Sequence, residues 1–535
     1  MLKFWIPLSL GCCVLAVSAN AALQFTSISS GVSQTLTSAA GDNNGTFIAA
    51  GFGSRVLRVT FNGSALVLTP TSTPSASQLR SAVYSPGGFL IGGTNAALFS
   101  SPDGQTWTAV GRAFSNAGIV QALAYNPVLG RFTAGASIVD IVFSDGTWPG
   151  TGGNIKSASF LESYRAMTAV GASSFVCTGI RNTIRLSTDS GVTWNVVPGH
   201  ALNINKPDYL AVTTDGGNTI VAVGGSGVVA VSPDGGGSWG DTTIAGSPEL
   251  HAIVHTGSEF LAGGANGTIA TSPDGLTWTI EPAGLPGNFN LLGATFATNG
   301  SLAGMGMLVG TNGQLVLAGT APNPPVKVND ATNCANSAPN PPLVASVVAD
   351  SLHPSGTVTI DWYNAATGGT RVATATNSFI APDTTTPANA STVFTYFAEA
   401  RDLRTGFVSA SRTAHTLTIN PRPTATLVSF NVTICNEGTA FTLTNTLTGL
   451  GPWTVYWNDG TTQPVATTGP GPVILTRPIF PTNDFAANTA SNNVFFVTNV
   501  VSGDGCSANQ AGDITGSVAV LVNPRPTASL LSFAG

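Results

Sequence analysis

Charged residues are scarce in this 535-residue sequence, and lysine is the rarest of them. Asp, Glu, Lys and Arg together make up 8% of the residues, and the formal net charge is −6. Only four lysines occur, Lys3, Lys156, Lys206 and Lys327. A protein that binds nucleic acid needs a basic face to neutralise phosphates. The composition therefore excludes nucleic acid as a partner.

Long apolar runs are lacking everywhere except at the start of the sequence. Lys3 is followed by an apolar stretch over residues 4–17 and by small residues up to Ala21. This order is typical of a secretory signal, and we predict a signal peptide over 1–21. A lipoprotein signal that uses Cys12 is the alternative. No later stretch approaches the ~20 apolar residues of a membrane helix, so we expect a secreted or cell-surface protein with no transmembrane segment in the mature chain.

Glycine and residues that favour strands are abundant instead. The sequence has 63 glycines, and Ser, Thr, Asn, Val and Ala dominate the remainder. Such a composition favours many short strands and tight turns over charged amphipathic helices. The length exceeds what one core can hold. We therefore predict an all-β protein of several domains.

A repeated motif defines the first domain. A strand that ends in Gly-Gly is followed, 14 residues after the second Gly, by a Trp that closes a Ser-x-Asp turn. The three clear copies are Phe89–Gly93 with Ser101–Trp107, Val221–Gly225 with Ser232–Trp239, and Phe260–Gly264 with Ser272–Trp278. Looser copies end at Trp148 and Trp194, so successive Trp residues are 41, 46, 45 and 39 apart. A period near this length is typical of a four-stranded propeller blade.

The Ser-x-Asp-x-Gly-x-Thr-Trp pattern resembles the Asp box of sialidase and BNR-repeat propellers, and the longer repeat resembles propellers of the photosystem II assembly-factor type. In such a turn Asp accepts backbone N–H bonds, Gly takes a positive φ, and Trp packs between neighbouring sheets. We therefore expect a structural role, not a catalytic one, for these residues. They are Ser101, Asp103, Trp107, Asp145, Trp148, Ser187, Asp189, Trp194, Ser232, Asp234, Trp239, Ser272, Asp274 and Trp278.

Weaker repeats flank these five and complete the propeller. Segments 47–59 and 307–318 have the Gly-containing strands but lack the box. We predict a propeller over 22–320 with seven blades, and six or eight remain alternatives. A strand at Phe25–Ile28 is expected to complete the last blade, which would remove an exposed sheet edge.

A change of composition after Thr320 marks the end of the propeller. The Pro-rich stretch 321–325 begins a region in which Asn420-Pro-Arg-Pro-Thr-Ala425 returns 103 residues later at Asn523. A unit of this length has the size of an immunoglobulin sandwich. Stretches such as Thr357–Trp362, Val393–Glu399 and Trp453–Trp457 resemble Ig-like and PKD-like modules of secreted bacterial proteins. The predicted modules are 321–421, 422–523 and the start of a truncated third module at 524–535, which implies a longer native product.

Four cysteines remain after the signal. Cys435 and Cys506 lie 71 residues apart, near the two ends of one module, and we predict a disulfide between them. Phe407 stands at the place of Cys506 in the preceding module. Cys334 and Cys177 are interpreted as small buried hydrophobic residues, with a bridge between them or to another chain as the alternative.

Catalytic patterns were sought because sialidases carry the Asp box. Their Phe-Arg-Ile-Pro stretch is absent, and the nearest approach, Ser163–Met167, shares only the Arg. A propeller glycosidase needs two carboxylates across a cleft. Asp42, Asp140, Asp208, Asp215, Asp241 and four glutamates could supply such a pair. No residue is assigned a catalytic role.

Metal and cofactor patterns are weak. His251 and His255 lie in a segment predicted to be a strand, where residues four apart are about 13 Å apart and cannot share one metal. The loops Asp42–Gly45 and Thr214–Gly217 lack the ligand spacing of a Ca²⁺ loop. No Gly-rich phosphate loop opens a helix. We predict no metal and no cofactor.

The sequence favours a non-enzymatic secreted or surface protein, in which the propeller binds a glycan or another surface protein and the Ig-like modules act as spacers or adhesive units. Residues just before the Gly-Gly strands are the first candidates for the binding face. An extracellular glycoside hydrolase with non-catalytic tail modules is the alternative. The blade resemblance also implies a third hypothesis, an assembly factor for a membrane complex, although such a factor has no evident use for Ig-like tails.

Overall fold

A computed structural model describes residues 22–112, 118–136, 141–143, 163–246, 248–282, 285, 288–435, 440–483 and 489–524. In these residues the regular elements are β-strands and three-residue 3₁₀ turns, without an α-helix. The all-β prediction is confirmed at this level. Across the same ranges no helix is long and apolar enough to cross a bilayer. Asp145 and Trp148 lie outside the described residues.

The chain divides into two compact units. The first comprises Met1–Asn323, Ala349–Thr359 and Arg401–Ala410, and the second comprises Pro324–Val348, Ile360–Ala400 and Ser411–Gly535. The strands up to residue 319 all belong to the first unit. They are β1 Gln24–Ser29, β2 Leu36–Gly41, β3 Thr46–Gly51, β4 Arg55–Phe61, β5 Leu66–Ser72, β6 Leu79–Ser85, β7 Gly88–Gly93, β8 Ala97–Ser101, β9 Thr108–Arg112, β10 Val120–Asn126, β11 Arg131–Ala136, β12 Ile141–Phe143, β13 Tyr164–Val170, β14 Ser174–Gly179, β15 Ile184–Ser187, β16 Asn195–Val196, β17 Tyr209–Thr214, β18 Ile220–Gly224, β19 Val228–Ser232, β20 Gly240–Thr243, β21 Leu250–His255, β22 Phe260–Gly264, β23 Ile269–Ser272, β24 Thr279–Ile280, β25 Leu291–Ala297, β26 Met305–Gly310 and β27 Gln314–Gly319.

Consecutive strands of this unit pair into antiparallel sheets. The described residues form seven of them, each with four strands except the third, of which three strands are described. In order along the chain they are β2–β5, β6–β9, β10–β12, β13–β16, β17–β20, β21–β24, and β25–β27 with β1. The 3₁₀ turns are Phe52–Ser54, Thr94–Ala96, Gly225–Gly227, Ala265–Gly267, Gly300–Leu302 and Thr311–Gly313.

The first strand of the chain completes the last sheet. β1 pairs antiparallel with β27, so that Phe25 lies opposite Ala318. This pairing confirms the expectation for Phe25–Ile28. The leading strands of the sheets, β2, β6, β10, β13, β17, β21 and β25, each contact the next one, and β25 contacts β2. The leading strands therefore form a closed ring.

The Gly at the end of the second strand is required by a close backbone approach. A Cβ added at Gly264 would lie 2.0 Å from the carbonyl oxygen of Glu249, and one at Gly224 would lie 1.9 Å from that of Asp208. These carbonyls precede the first strand of the same sheet. Any side chain at these glycines would collide with main chain, which has little freedom to move. The Gly-Gly signal in the sequence thus marks where two strand ends meet.

Residues 326–420 form a first strand set and residues 424–522 a second strand set. The first contains β28 Val326–Lys327, β29 Ala331–Cys334, β30 Leu343–Ser346, β31 Val358–Tyr363, β32 Arg371–Ala373, β33 Ser378–Phe379, β34 Thr392–Asp402 and β35 Thr413–Asn420. The second contains β36 Thr424–Leu427, β37 Phe430–Ile434, β38 Phe441–Thr448, β39 Leu450–Trp457, β40 Thr462–Pro470, β41 Val473–Ile479, β42 Ser491–Phe495, β43 Val497–Ser502, β44 Ile514–Thr515 and β45 Val518–Val522.

Each strand set has its own hydrophobic core. The first has sheets β29-β35-β34-β31-β32 and β28-β30-β33, and Trp362, Leu343 and Leu417 share one buried cluster drawn from both sheets. The second has sheets β41-β38-β36-β44, β37-β45-β42 and β40-β39-β43, with Trp453 and Trp457 in its core. The strands predicted at Thr357–Trp362, Val393–Glu399 and Trp453–Trp457 are confirmed within β31, β34 and β39.

The predicted Cys435–Cys506 disulfide is wrong in this structure. Cys506 is bonded to Cys334, 172 residues away, and Cys435 is exposed without a disulfide. Cys435 directly follows β37, whereas Cys506 lies in the turn after β43, and these strands belong to different sheets. Sequence spacing suggested a bridge inside one module, but strand placement brings together cysteines of the two strand sets. Cys177 is fully buried in β14.

Replacing Gly264 by Ala tests the close approach at the strand ends. We expect Gly264→Ala to lower the free energy of unfolding by about 1–3 kcal/mol, because the methyl group would overlap main chain. Gly240→Ala is the matched control, since a Cβ there meets nothing within 4 Å, and its effect should stay within about 0.5 kcal/mol. Urea unfolding followed by tryptophan fluorescence measures both. Equal effects for the two variants would contradict this explanation of the Gly-Gly signal.

Candidate functional site

A β-bulge occurs at the same level in each of the seven described sheets of the first unit. The pairing of the first and second strands skips one residue in every case, for example Arg80 between Leu79 and Ser81, and His251 between Leu250 and Ala252. We call the skipped residues the bulge ring. Its members are Thr37, Arg80, Gln121, Arg165, Leu210, His251 and Leu292.

The bulge ring borders one cavity of about 180 Å³. Each leading strand contributes its bulge residue and the two residues that follow, and the seven strands together supply the whole lining. A bulge redirects a side chain out of the regular in-and-out alternation of a strand, and bulges are frequent beside functional sites. Five of the seven bulge residues are polar, the exceptions being Leu210 and Leu292. The other residues of these strands that line the cavity are mostly small or apolar.

Arg80 lies beside an aromatic ring and beside a second cation. Its guanidinium carbon is 4.6 Å from the centre of the Phe52 ring, and its Nη2 donates to Gln78 Oε1 at 3.2 Å. Burial lowers the pKa of Arg80, and the positive charge of Arg165 lowers it further. The Nε of Arg80 is buried and has no hydrogen-bond acceptor among the described residues.

Arg165 is held by two side chains and retains one unused donor. Its Nη1 donates to Gln121 Oε1 at 3.2 Å, and its Nη2 lies 3.6 Å from a carboxylate oxygen of Asp208. Its Nε is buried without an acceptor in the part of the chain that the structure describes. Asp208 also accepts a hydrogen bond from the backbone N–H of Arg181. Since its carboxylate serves a second donor, Asp208 offsets the charge of Arg165 only in part.

His251 completes the polar side of the ring. Burial lowers its pKa, and the nearby Glu249 carboxylate opposes that shift. Its Nε2 is buried and has no partner within the described ranges. Buried polar atoms without a partner are rare in native structures and call for an explanation. Here three of them, on Arg80, Arg165 and His251, belong to side chains that border the same cavity.

The chemistry of these three groups favours an anionic ligand. Two guanidinium groups that repel each other in a half-buried site are stabilised when a negative charge joins them. A carboxylate or sulfate oxygen can accept hydrogen bonds from both arginines, and neutral His251 can add a third contact. None of the residues that line the described cavity is Asp or Glu.

Sequence reasoning did not find this site. It favoured the residues before the Gly-Gly strands, whereas the ring lies at the opposite end of the hairpin, where Leu250 pairs with Gly264. The spacing of His251 and His255 suggests only a zinc site, which the geometry of a strand excludes. A usable signal exists, because the ring members recur at intervals of 41–45 residues, and each follows the first residue of its strand.

The four described Ser-Asp turns share one pattern of hydrogen bonds. In the turn at Ser232, the Ser hydroxyl donates to Asp234 at 2.9 Å and accepts from the N–H of Gly236 at 2.8 Å. Asp234 also accepts from the N–H and the hydroxyl of Ser238. Equivalent bonds join Ser101 to Asp103, Ser187 to Asp189 and Ser272 to Asp274.

The tryptophans that close these turns pack with strands of two sheets. Trp107 and Trp194 are 6% exposed, and Trp239 and Trp278 are partly buried against neighbouring clusters. In three turns the indole N–H donates to the carbonyl of the turn Gly, as Trp278 does to Gly275 at 2.7 Å. The Ser-Asp turns lie away from the bulge ring, and their Asp carboxylates are occupied by their own turns.

The other carboxylates considered for catalysis are dispersed. Asp42 and Asp215 accept backbone N–H bonds from their own loops, and Asp241 accepts from His200 and Tyr209. Asp140 lies outside the described residues. No group of three His, Cys, Asp or Glu side chains suited to a metal ion occurs in the ranges that the structure covers.

Comparison with known families identifies the first strand set. Residues 322–421 match the family described as "Ig-like domain CHU_C associated". No curated protein matches the sequence.

Among solved structures, the chain is similar to propeller proteins. "YCF48 bound to D1 peptide" aligns with a TM-score of 0.45 and 15% identity, over 55% of this chain and 97% of that chain. YCF48 from Cyanidioschyzon merolae aligns with a TM-score of 0.44 and 12% identity, over 55% and 98%. The WD40 β-propeller domain of Doa1 aligns with a TM-score of 0.43 and 12% identity, over 56% and 97%.

The Asp234 turn predicts a pH-dependent contribution to stability. Hydrogen bonds from the Ser238 hydroxyl and N–H, and then from Ser232, lower the pKa of Asp234 to about 2. Because the folded pKa is below the unfolded one of about 3.9, the ionised carboxylate stabilises the fold above pH 4, and this contribution is lost as the pH falls towards 2. Asp234→Asn should therefore unfold at a lower temperature than the natural protein at pH 6.

The difference in Tm between the two proteins should shrink as the pH is lowered from 6 to 2, as measured by calorimetry. Ser238→Ala is the second variant, since it removes the largest contribution to the shift while retaining the carboxylate. A difference in Tm that is independent of pH would show that the ionised turn does not supply the stability.

Proposed function

We propose that the chain is a secreted or cell-surface binding protein whose first unit is a seven-bladed β-propeller that binds an anionic group at the bulge ring. The three unpartnered nitrogens of Arg80, Arg165 and His251 beside one cavity carry this proposal. The Ig-like segment 322–421, and residues 422–523 as a second Ig-like module, would act as spacers or adhesive units. The propeller would span residues 22–320, after a signal peptide at 1–21.

The seven-bladed assignment is supported by the pairing of β1 with β27 and by the contacts among leading strands. Each described sheet would then be one blade, with its leading strand at the central channel. The Ser-Asp turns would be Asp boxes that staple the third and fourth strands of a blade. Their hydrogen bonds and tryptophan packing support this structural role.

The alternative of a glycoside hydrolase receives no support from this cavity. Hydrolysis of a glycosidic bond requires two carboxyl groups on either side of the substrate, and the described lining of the cavity contains none. Cationic and amide side chains can bind an acidic group without transforming it. We therefore favour binding over catalysis.

The size of the cavity indicates how much of a ligand it can hold. About 180 Å³ is small compared with the pockets of roughly 300–1,000 Å³ that bury drug-sized ligands. One carboxylate or sulfate with its nearest ring atoms fits such a space. The ligand we propose is a glycan with acidic sugars. One charged group of the glycan enters the cavity, and the rest of the glycan remains outside.

Binding to arrays of acidic and neutral glycans tests the proposal, with sugar release assayed in parallel. We expect the full chain to bind carboxylated or sulfated glycans, without turnover. Arg80→Gln and Arg165→Gln should each weaken binding about tenfold to a hundredfold, since a charged hydrogen bond contributes about 1.5–3 kcal/mol. Arg58→Gln is the matched control, because Arg58 lies outside the cavity and donates to the carbonyl of Asp103.

Lowering the pH from 7.5 to 5 should strengthen binding, because protonation of His251 adds a positive charge at the ring. His251→Gln should abolish this pH dependence. Equal binding by the Arg58 and Arg80 variants would exclude the bulge ring as the site. Sugar release that survives purification would overturn the non-enzymatic proposal.

A further inference from the structure

The first strand set ends in a surface that binds the second strand set. Cys334, at the end of β29, is bonded to Cys506. Arg422, between the two sets, donates to both carboxylate oxygens of Asp513 at 3.0 Å and to the carbonyl of Ala335 at 3.0 Å. Nearby, Gln510 donates to the carbonyl of Asn336 at 2.9 Å. A covalent bond and a nearly buried ion pair thus join the sets at one place.

Cys435 occupies in the second strand set the position that Cys334 occupies in the first. β29 runs parallel to β35, with Cys334 opposite Asn420. β37 likewise runs parallel to β45, with Ile434 opposite Val522, so that Cys435 and Asn523 come next. The Asn523 side chain lies 3.9 Å from the Cys435 sulfur. Cys334 forms a disulfide and is partly buried, whereas Cys435 is a free thiol and is exposed.

The linker that follows each of these positions is also repeated. Asn420-Pro-Arg-Pro-Thr-Ala-Thr-Leu-Val-Ser-Phe430 returns as Asn523-Pro-Arg-Pro-Thr-Ala-Ser-Leu-Leu-Ser-Phe533. In the first copy, this segment carries Arg422 and contains β36. The second copy repeats, as Arg525, the arginine that forms the ion pair in the first copy.

The second strand set has Cys506 in the turn where the first strand set has Phe407. The difference matches the element that precedes each set, which is the first unit for the first set and another strand set for the second. An isolated bridge between Val501 and Ser507 closes the turn that holds Cys506, and one between Arg401 and Val408 closes the turn that holds Phe407. Within the first unit, the Phe407 ring lies 3.5 Å from where a Cβ on Gly319 would be. The same turn thus carries an apolar ring beside the last strand of the first unit and a cysteine beside another strand set.

We propose that the Cys435 end of the second strand set is a docking surface for a further Ig-like module that follows Asn523 in sequence and carries a cysteine at the position of Cys506. The disulfide between Cys334 and Cys506 would then be the first of a series that links successive modules. This inference rests on the proposed assignment of residues 422–523 as an Ig-like module. It is independent of the ligand at the bulge ring.

Formation of this bond is a thiol–disulfide exchange. The Cys435 thiolate attacks the sulfur of the incoming cysteine in its mixed disulfide with a small-molecule disulfide oxidant, and a small thiolate leaves. In sum, two protein thiols and one small-molecule disulfide become one protein disulfide and two small-molecule thiols. The exposure of Cys435 allows the attack.

The test extends the full chain after Gly535 with a copy of residues 433–523, which continues the 103-residue repeat in register. In the appended copy, the residue that repeats Cys435 is replaced by Ser. The copy therefore adds one cysteine, the residue that repeats Cys506. Without the predicted signal peptide, which contains Cys12 and Cys13, the unextended chain should show one thiol that reacts under native conditions. This thiol is Cys435, because Cys177 is fully buried. After oxidation with glutathione disulfide, the extended chain should show none, and peptide mapping should find Cys435 linked to the copy.

The same extension with Cys506→Ser in the copy is the matched control. Its Cys435 should remain reduced but react several-fold more slowly with a thiol reagent than in the unextended chain, because the docked module covers it. Limited proteolysis reports whether the copy folds. The proposal is overturned if Cys435 of the extended chain reacts as fast as Cys435 of the unextended chain, whether the protease degrades the copy or not. Dimers bridged between two Cys435 residues would also overturn it. None of these outcomes depends on glycan binding, so failure of the proposed ligand would be seen separately.

Discussion

Pairing of the first strand with the last is the interaction on which the first unit depends. β1 and β27 are opposed over six residue pairs, from Gln24 with Gly319 to Ser29 with Gln314. This pairing joins the ends of a segment of about three hundred residues and covers the edge of β27. It brings the last sheet next to the first, where β25 contacts β2 and closes the ring of leading strands around the cavity.

Within that ring, local backbone geometry sets the chemistry of the cavity border. A one-residue bulge repeated in every described sheet sets seven side chains at one level, and the strand alternation that packs Ile253 and Val212 into the core is interrupted there. Polar residues at Arg80, Gln121, Arg165 and His251 are tolerated because they face a cavity and not a packed interface. The strand pairing is the same from sheet to sheet, whereas the ring residues are not, so the sheets differ in chemistry at these seven positions.

The two strand sets are held together differently from the sheets of the first unit. Each has a small core around a buried tryptophan, and a disulfide with the Arg422–Asp513 ion pair joins them. An ion pair that is almost buried is costly to break, because either charge would be left without a partner. A covalent bond and an oriented ion pair therefore fix the second strand set to the first more firmly than the Pro-containing linker alone would.

The repeats could be recognised in the sequence because each repeated residue is required by contacts close to it in the chain. The Gly that ends the second strand is dictated by a backbone contact at Gly224 and Gly264. The Ser-x-Asp turns are dictated by hydrogen bonds within eight residues, and the strand stretches around Trp362 and Trp453 by alternation. The all-β class, the strand at Phe25–Ile28 and the Ig-like character of residues 322–421 followed from such signals. The partner of Cys506 and the members of the bulge ring could not be read in this way, because both join residues distant in sequence. Which cysteines meet depends on how two strand sets pack, and which seven side chains share a cavity depends on a register shift in each sheet and on closure of the ring.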